Sequence, residues 1–165
     1  MIKVFLIAAV SADGFIARAH NELADWTSKE DKKVFVELTK HAGVLVMGST
    51  TFRTIGRALP GRRNIVYTHK FIDAEGVETT EETPQELIKR LESEGHTELA
   101  VCGGSAIYDM FLQAGVVDEL YLTVEPFLFG EGITLARSSL RAPLKLLERK
   151  PLNDDVTLMH YEVQR

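Results

Sequence analysis

Apolar runs and turn residues alternate regularly along this chain. Val4 to Val10 is a continuous apolar run ended by Asp13-Gly14, the pattern of a strand buried on both faces. Thr27 to Ala42 instead repeats at helical spacing, with Val34, Leu38 and Ala42 on one face. A second run, Val44 to Met47, stops at Gly48. Thr51 to Ile55 then predicts a short helix ahead of the Leu59-Pro60-Gly61 turn. Asn64 to Thr68 predicts a third strand, and Glu82 to Ser93 a surface helix beginning around Thr83-Pro84. Leu99 to Cys102 is a further buried strand. Gly103-Gly104 leads from it into an amphipathic helix over Ser105 to Leu112, and Glu119 to Pro126 is strand again. Leu144 to Lys150 and Val156 to Val163 flank Pro151-Leu152-Asn153-Asp154-Asp155, a hairpin pattern. The whole predicts an α/β fold: a mostly parallel central sheet, helices on both its faces, and an antiparallel C-terminal hairpin.

Composition narrows the function. With 165 residues, 45% of them hydrophobic, and no linker or repeat, the chain reads as one domain over residues 1–165. The net charge is −5 and Lys and Arg form no long run, so nucleic acid and membrane surfaces have no electrostatic footprint. No apolar stretch is long enough to span a bilayer. The apolar start carries a single lysine and runs straight into Ser11-Ala12-Asp13-Gly14, which fits a buried strand better than a signal peptide. Cys102 is the only cysteine, which excludes an intrachain disulfide and points to a reducing cytoplasm. His20, His41, His69, His96 and His160 are scattered without ligand spacing, so no metal site is expected.

Two strand-to-helix junctions could bind phosphate. Gly48-Ser49-Thr50-Thr51 and Gly103-Gly104-Ser105-Ala106 each place glycine and then a hydroxyl residue at a helix N-terminus, where free N–H groups favour anions. The same residues also serve as ordinary caps. Neither junction matches the GxGxxG fingerprint, so a standard Rossmann site is not supported. Asp31 shares a helix face with Val34, Phe35 and Leu38, and a carboxylate there is costly without a partner. It could close a capping box with Ser28, or Thr27 and Glu30 could form the box and leave Asp31 free. Trp26 suits a hydrophobic anchor before that helix, Arg62 and Arg63 suit solvated surface after a turn, and Tyr108 suits core.

In combination these segments resemble the dihydrofolate reductase family over nearly the whole chain. The carrying residues are Leu6 to Val10, Trp26 through Asp31 to Phe35, Val46-Met47-Gly48 through Thr51-Phe52 to Ile55-Gly56-Arg57, and Leu59 to Val66. Gly103 to Tyr108 and Glu119 to Thr123 complete the set. The resemblance implies NADPH-dependent reduction of 7,8-dihydrofolate to tetrahydrofolate, hydride going to C6 of the pterin and a proton to N5. Asp31 matches the carboxylate that pairs with the pterin 2-amino group and N3, Thr123 the threonine supporting it, and Trp26 the tryptophan that orders a water. Ile7, Ala8, Phe35, Ile55 and Leu59 match pocket walls, joined by Cys102 and Tyr108. Arg62 matches the arginine that grips the substrate's α-carboxylate. For the cofactor, Ala9 and Ile16 match the nicotinamide surroundings, together with Tyr108. Gly103, Gly104, Ser105, Ala106 and Ile107 match the pyrophosphate turn, with a cis Gly–Gly peptide. Gly48, Ser49, Thr50, Thr51, Thr68 and His69 match the adenosine-phosphate side.

Some positions depart from the family. Ser49 stands where an arginine usually holds the 2′-phosphate, with Arg53, His69 and Lys70 as possible replacements. Ala58 replaces the usual proline, and the loop before Trp26 is longer. The expected partner is the small-molecule substrate, with no nucleic acid or membrane and a monomer or weak homodimer. Ser11 to Ala17 also resembles the reductase domain of riboflavin biosynthesis, which acts on a ribosylaminopyrimidine. A third reading is a flavin-binding electron-transfer protein using Gly48 to Thr51 as the phosphate cradle.

Overall fold

The structure is a computed structural model that describes residues 1–20, 22 and 24–165. The first apolar run becomes β1 (Lys3–Ser11), followed by a short β2 (Phe15–Ala17). The helix α1 (Lys29–Ala42) leads to β3 (Val44–Gly48) and α2 (Ser49–Ile55). Gly43 ends α1 with φ +80, and its N–H donates to the Thr39 carbonyl; only glycine takes this left-handed position cheaply. Next come β4 (Arg63–Tyr67), β5 (Val77–Thr80), α3 (Pro84–Ser93), β6 (Glu98–Val101) and α4 (Ser105–Gln113). The chain finishes with β7 (Glu119–Glu125), β8 (Ile133–Thr134), β9 (Leu144–Pro151) and β10 (Thr157–Val163).

The main sheet has the order β5-β4-β3-β6-β1-β7-β10-β9, and β2 pairs with β8 apart from it. Strands β5 to β7 in that order run parallel, while β10 is antiparallel to β7 and to β9. The mostly parallel sheet with an antiparallel closing hairpin is therefore present as the pattern predicts. Alternation along each strand sends residues to opposite faces. Val4, Leu6, Val44, Val46, Leu99 and Val101 join Leu87 and Leu91 of α3 and Ile107, Phe111 and Leu112 of α4 in one core. Phe5, Ile7, Leu45, Met47 and Ala100 meet Ala42 of α1 and Phe52 of α2 in the other.

The sequence pattern misses three strands and misplaces the starts of two helices. β2 and β8 are too short to show a period, and β5 reads Val-Glu-Thr-Thr, with a single aliphatic residue. α2 begins at Ser49 rather than Thr51, because Gly48 is its N-cap. α1 begins at Lys29, and its N-cap is Ser28, whose Oγ accepts from the Asp31 N–H at 3.1 Å. Of the two capping boxes open from the sequence, the Thr27–Glu30 one is not formed: the Thr27 hydroxyl donates to the Ala24 carbonyl instead.

Phe111 is fully buried on α4, whereas Leu144 is exposed on the edge strand β9. Replacing Phe111 by alanine leaves a cavity and is expected to cost about 3–5 kcal/mol in a urea unfolding experiment. Leu144→Ser is expected to stay within about 0.5 kcal/mol of the parent.

Candidate active site

The sheet opens where two neighbouring strands separate. β1 pairs with β6 only as far as Leu6↔Val101, yet stays paired with β7 to Ser11↔Glu125. Past that point β6 remains with β3: Cys102 N–H donates to Val46 O at 2.9 Å and Gly48 N–H to Gly103 O at 2.7 Å. The gap lies at the carboxyl ends of the strands, the usual place for a ligand in an open α/β sheet. It holds a cavity of about 1240 Å³, more than the 300–1,000 Å³ typical of one drug-sized ligand.

Nearly all the residues singled out in the sequence meet there. Ile7, Ala8, Ala9 and Ile16 line the cavity from the β1–β2 side, and Trp26, Asp31 and Phe35 from α1 and its approach. Ile55, Leu59, Arg62 and Cys102 form another stretch of wall. Gly48, Ser49, Thr50, Thr51, Thr68 and His69 line one end, and Gly103, Gly104, Ser105, Ala106, Ile107 and Tyr108 the middle. Thr123 is the exception. It is 1% exposed and sits behind Asp31 rather than on the wall. Of the longer loop before Trp26, Asn21 and Leu23 lie outside the described residues.

Asp31 is only 9% exposed, and the Thr123 side chain lies close enough to its carboxylate to act on it. Burial holds its pKa above the ordinary carboxylate value. The Thr123 side chain pulls it back, the Glu125 charge pushes it further up, and Lys32 opposes that push. Trp26 packs edge-to-face on Phe129 and Phe127, at ring-centroid distances of 5.0 and 6.4 Å, so it also has the anchoring role.

Arg62 is aimed rather than loose. Its Nε donates to Pro60 O at 2.9 Å and its Nη1 to Thr39 Oγ1 at 3.0 Å, which corrects the expectation of a solvated surface arginine. Thr39 is fully buried, and its own hydroxyl donates to Phe35 O at 2.7 Å. Sequence reasoning missed Thr39, although Asp31, Phe35 and Thr39 at i, i+4 and i+8 share a face of α1. Cys102 has its thiol pushed well above the ordinary value by burial, so it is wall rather than nucleophile. The Tyr108 hydroxyl donates to Ile7 O at 2.7 Å and satisfies the carbonyl that β6 leaves behind.

The middle and far end suit phosphate groups. Neither α2 nor α4 has a side-chain cap, and both N-cap positions are glycine. The Gly103–Gly104 peptide is cis. A Cβ on Gly103, at φ +108, would stand 3.0 Å from the Tyr108 hydroxyl, and one on Gly48 would stand 3.0 Å from Ile107 Cγ1. The backbone is thus bare where a dinucleotide's pyrophosphate would approach it. Arg137, which the sequence reading overlooked, lines this region with its Nε donating to Ser105 Oγ at 2.8 Å. At the far end Arg53, His69 and Lys70 line the wall near Ser49, with His69 Nδ1 2.5 Å from Glu81 Oε1.

Residues 3–127 match the family model described as Dihydrofolate reductase. The chain belongs to the dihydrofolate reductase family. It is 36% identical over 121 residues to the dihydrofolate reductase type 3 of Salmonella typhimurium, covering 73% of this chain and 70% of that protein. Its fold is similar to a dihydrofolate reductase from Enterococcus faecalis complexed with NADP(H) and RAB-propyl, with a TM-score of 0.75 and 24% identity over 99% of this chain and 97% of that one. It is also similar to a pyrimidine reductase-like protein from Corynebacterium diphtheriae, with a TM-score of 0.78 and 16% identity over 99% and 92% of the two chains. Both structural likenesses are likenesses of fold. Within such a fold, substrate choice rests with the residues that line the site.

A buried acid with a raised pKa makes stability depend on pH. Its favourable contribution is present below the unfolded-state value of about 3.9 and is lost as pH rises through the raised folded value. Asp31→Asn is therefore expected to gain stability over the parent between acid and neutral pH in ligand-free protein. Thermal melts at pH 4 and pH 7 check this: an equal difference at both values contradicts it.

Proposed function

We propose that this chain is an NADPH-dependent oxidoreductase that reduces 7,8-dihydrofolate to tetrahydrofolate. The observation that carries the reading is Asp31, a buried carboxylate on the cavity wall backed by Thr123, with Arg62 held toward the same cavity. A ring that offers two parallel N–H donors meets a carboxylate well, and the 2-amino and N3 positions of a pterin do so. A guanidinium steered by Thr39 and Pro60 suits the carboxylate at the other end of the substrate.

NADPH supplies the hydride when bound. The residues of this chain bind and orient: the bare turn at Gly103-Gly104 and the N-terminus of α4 accommodate the pyrophosphate. Ile7, Phe35, Ile55 and Leu59 exclude water from the substrate ring. Asp31 holds the pterin by its 2-amino and N3 edge and stabilises positive charge as N5 gains its proton. Its role is electrostatic, and solvent delivers the proton. Arg53, His69 and Lys70 stand in for the arginine that Ser49 lacks and select the 2′-phosphate. The chain works as a single reductase domain over residues 1–165 in the cytoplasm. Among the described residues no helix is long and apolar enough to cross a membrane.

The riboflavin-type reading leans on the motif Ser11 to Ala17, but its Asp13 has a structural occupation. The Asp13 carboxylate accepts from Ser11 Oγ at 2.7 Å and from the Phe129 and Gly130 N–H groups at 3.1 and 2.8 Å, and it does not line the cavity. The deciding assay is NADPH oxidation with dihydrofolate, beside a ribosylaminopyrimidine phosphate. Activity with the pyrimidine alone overturns the folate reading, and a yellow protein with bound flavin overturns both. With dihydrofolate, Asp31→Asn is expected to lower turnover by roughly 10²-fold or more while NADPH affinity holds. Arg62→Gln is expected to raise KM by about tenfold with little change in kcat, because it removes binding shared by ground and transition states.

A further inference from the structure

The helix that carries Asp31 has half of a capping box. In a full box the N3 side chain reaches back to the N–H of the N-cap residue. This chain builds one at α3, where Thr83 N–H donates to Glu86 Oε2 at 2.8 Å and Glu86 N–H donates to Thr83 Oγ1 at 3.2 Å. At α1 the N-cap is Ser28 and the N3 residue is Asp31. Ser28 Oγ accepts from Asp31 N–H, but Ser28 N–H donates to Glu125 Oε1 at 2.8 Å, and so does the Ser28 hydroxyl, also at 2.8 Å.

Glu125 is 1% exposed and ranks among the largest fully buried side chains. It lies two residues beyond Thr123 on β7, so both side chains face α1. Burying a carboxylate is expensive, and binding, hydride transfer and proton delivery as described use no such group. We propose that Glu125 is a positioning residue: it takes over the N-cap N–H of α1 and so releases the Asp31 carboxylate to Thr123 and the substrate. The proposal rests on reading Asp31 as the carboxylate that meets substrate.

The competition is local. A backbone N–H at an N-cap is a strong partner for a carboxylate, and Asp31 is the nearest one on the helix. While Glu125 holds Ser28, that alternative is closed. Glu125 also acts on Asp31 through its charge. Three elements contribute groups beside the pair. α1 contributes Ser28 and Lys32, whose Nζ is 3.1 Å from Thr27 O. β7 contributes Thr123. β1 contributes Ser11, opposite Glu125 in register and carrying Asp13 on its hydroxyl.

Two variants test this. Glu125→Gln keeps an oxygen acceptor for Ser28 without the charge, and Glu125→Leu removes both. In ligand-free protein with labelled aspartate, the ¹³C carboxyl titration of Asp31 is expected to move to lower pH in Glu125→Gln. In Glu125→Leu the Ser28 amide proton is expected to follow the Asp31 titration, as it must once Asp31 folds back onto it. Calorimetry is expected to show dihydrofolate affinity lowered about tenfold or more in Glu125→Leu, the scale of a lost charge-assisted contact, with NADPH affinity unchanged. If both variants merely melt at lower temperature while the Asp31 titration and the Ser28 amide stay as in a cap without recapture, Glu125 is only structural and the proposal fails. The titration needs no substrate. Absence of dihydrofolate binding in the parent therefore defeats the functional reading alone, while the NMR result still decides this one.

Discussion

The structure depends on the parting of β1 and β6 beyond Leu6 and Val101. Each strand keeps its other neighbour, β7 for β1 and β3 for β6, so the sheet stays whole at one end and splits at the other. Splitting a sheet leaves backbone groups without partners, which is costly in an apolar interior. The Ile7 carbonyl would be such a group. Tyr108 reaches it from α4, and the Gly48–Gly103 bond fastens the opposite lip. The cavity is thus a gap whose edges have been satisfied by other means. Its walls remain the same apolar strand residues that form the two cores.

Polarity grows along one face as the cavity is approached. On β7 the residues facing α1 run Tyr121, Thr123, Glu125, while α1 answers with Thr39, Phe35 and Asp31. Charged groups stand at the two ends of this face. Asp31 lies beside Thr123 at one end, and Arg62 is hydrogen-bonded to Thr39 at the other, with Phe35 between them as an apolar spacer. A buried threonine therefore stands behind each of the two charged side chains. Neither threonine needs to touch the ligand.

Much of this was legible in the sequence because period and position carry it. The main strands and the four described helices follow from apolar and helical periodicity, and the residues that line the cavity follow from the order in which family-like segments recur. What was not legible is decided by contacts distant in the chain. Thr27-x-x-Glu30 is the better local capping pattern, yet Ser28 caps α1, because Glu125, 97 residues away, supplies an acceptor for its N–H. Arg62 looked like a surface residue because the buried Thr39 that aims it lies 23 positions earlier. β5 was invisible for a different reason: an outer strand with one aliphatic residue has no hydrophobic signature, and only its parallel pairing with β4 defines it.

The cost of Asp31 explains why such a site can be selective. In the ligand-free fold the carboxylate is desolvated and lies near a second acid, with the Thr123 side chain beside it as a partial offset, so its charged form is raised in free energy. A ligand that brings two N–H donors, or a positive charge, relieves that penalty on binding. A ligand of the same shape without them leaves the carboxylate buried and unpaired, and forfeits several times the value of one exposed hydrogen bond. Discrimination then comes from the instability of the empty site as much as from contacts in the filled one. The acid that holds the cap of α1 also raises that instability through its charge, so the strand residue that frees Asp31 sharpens its choice of partner.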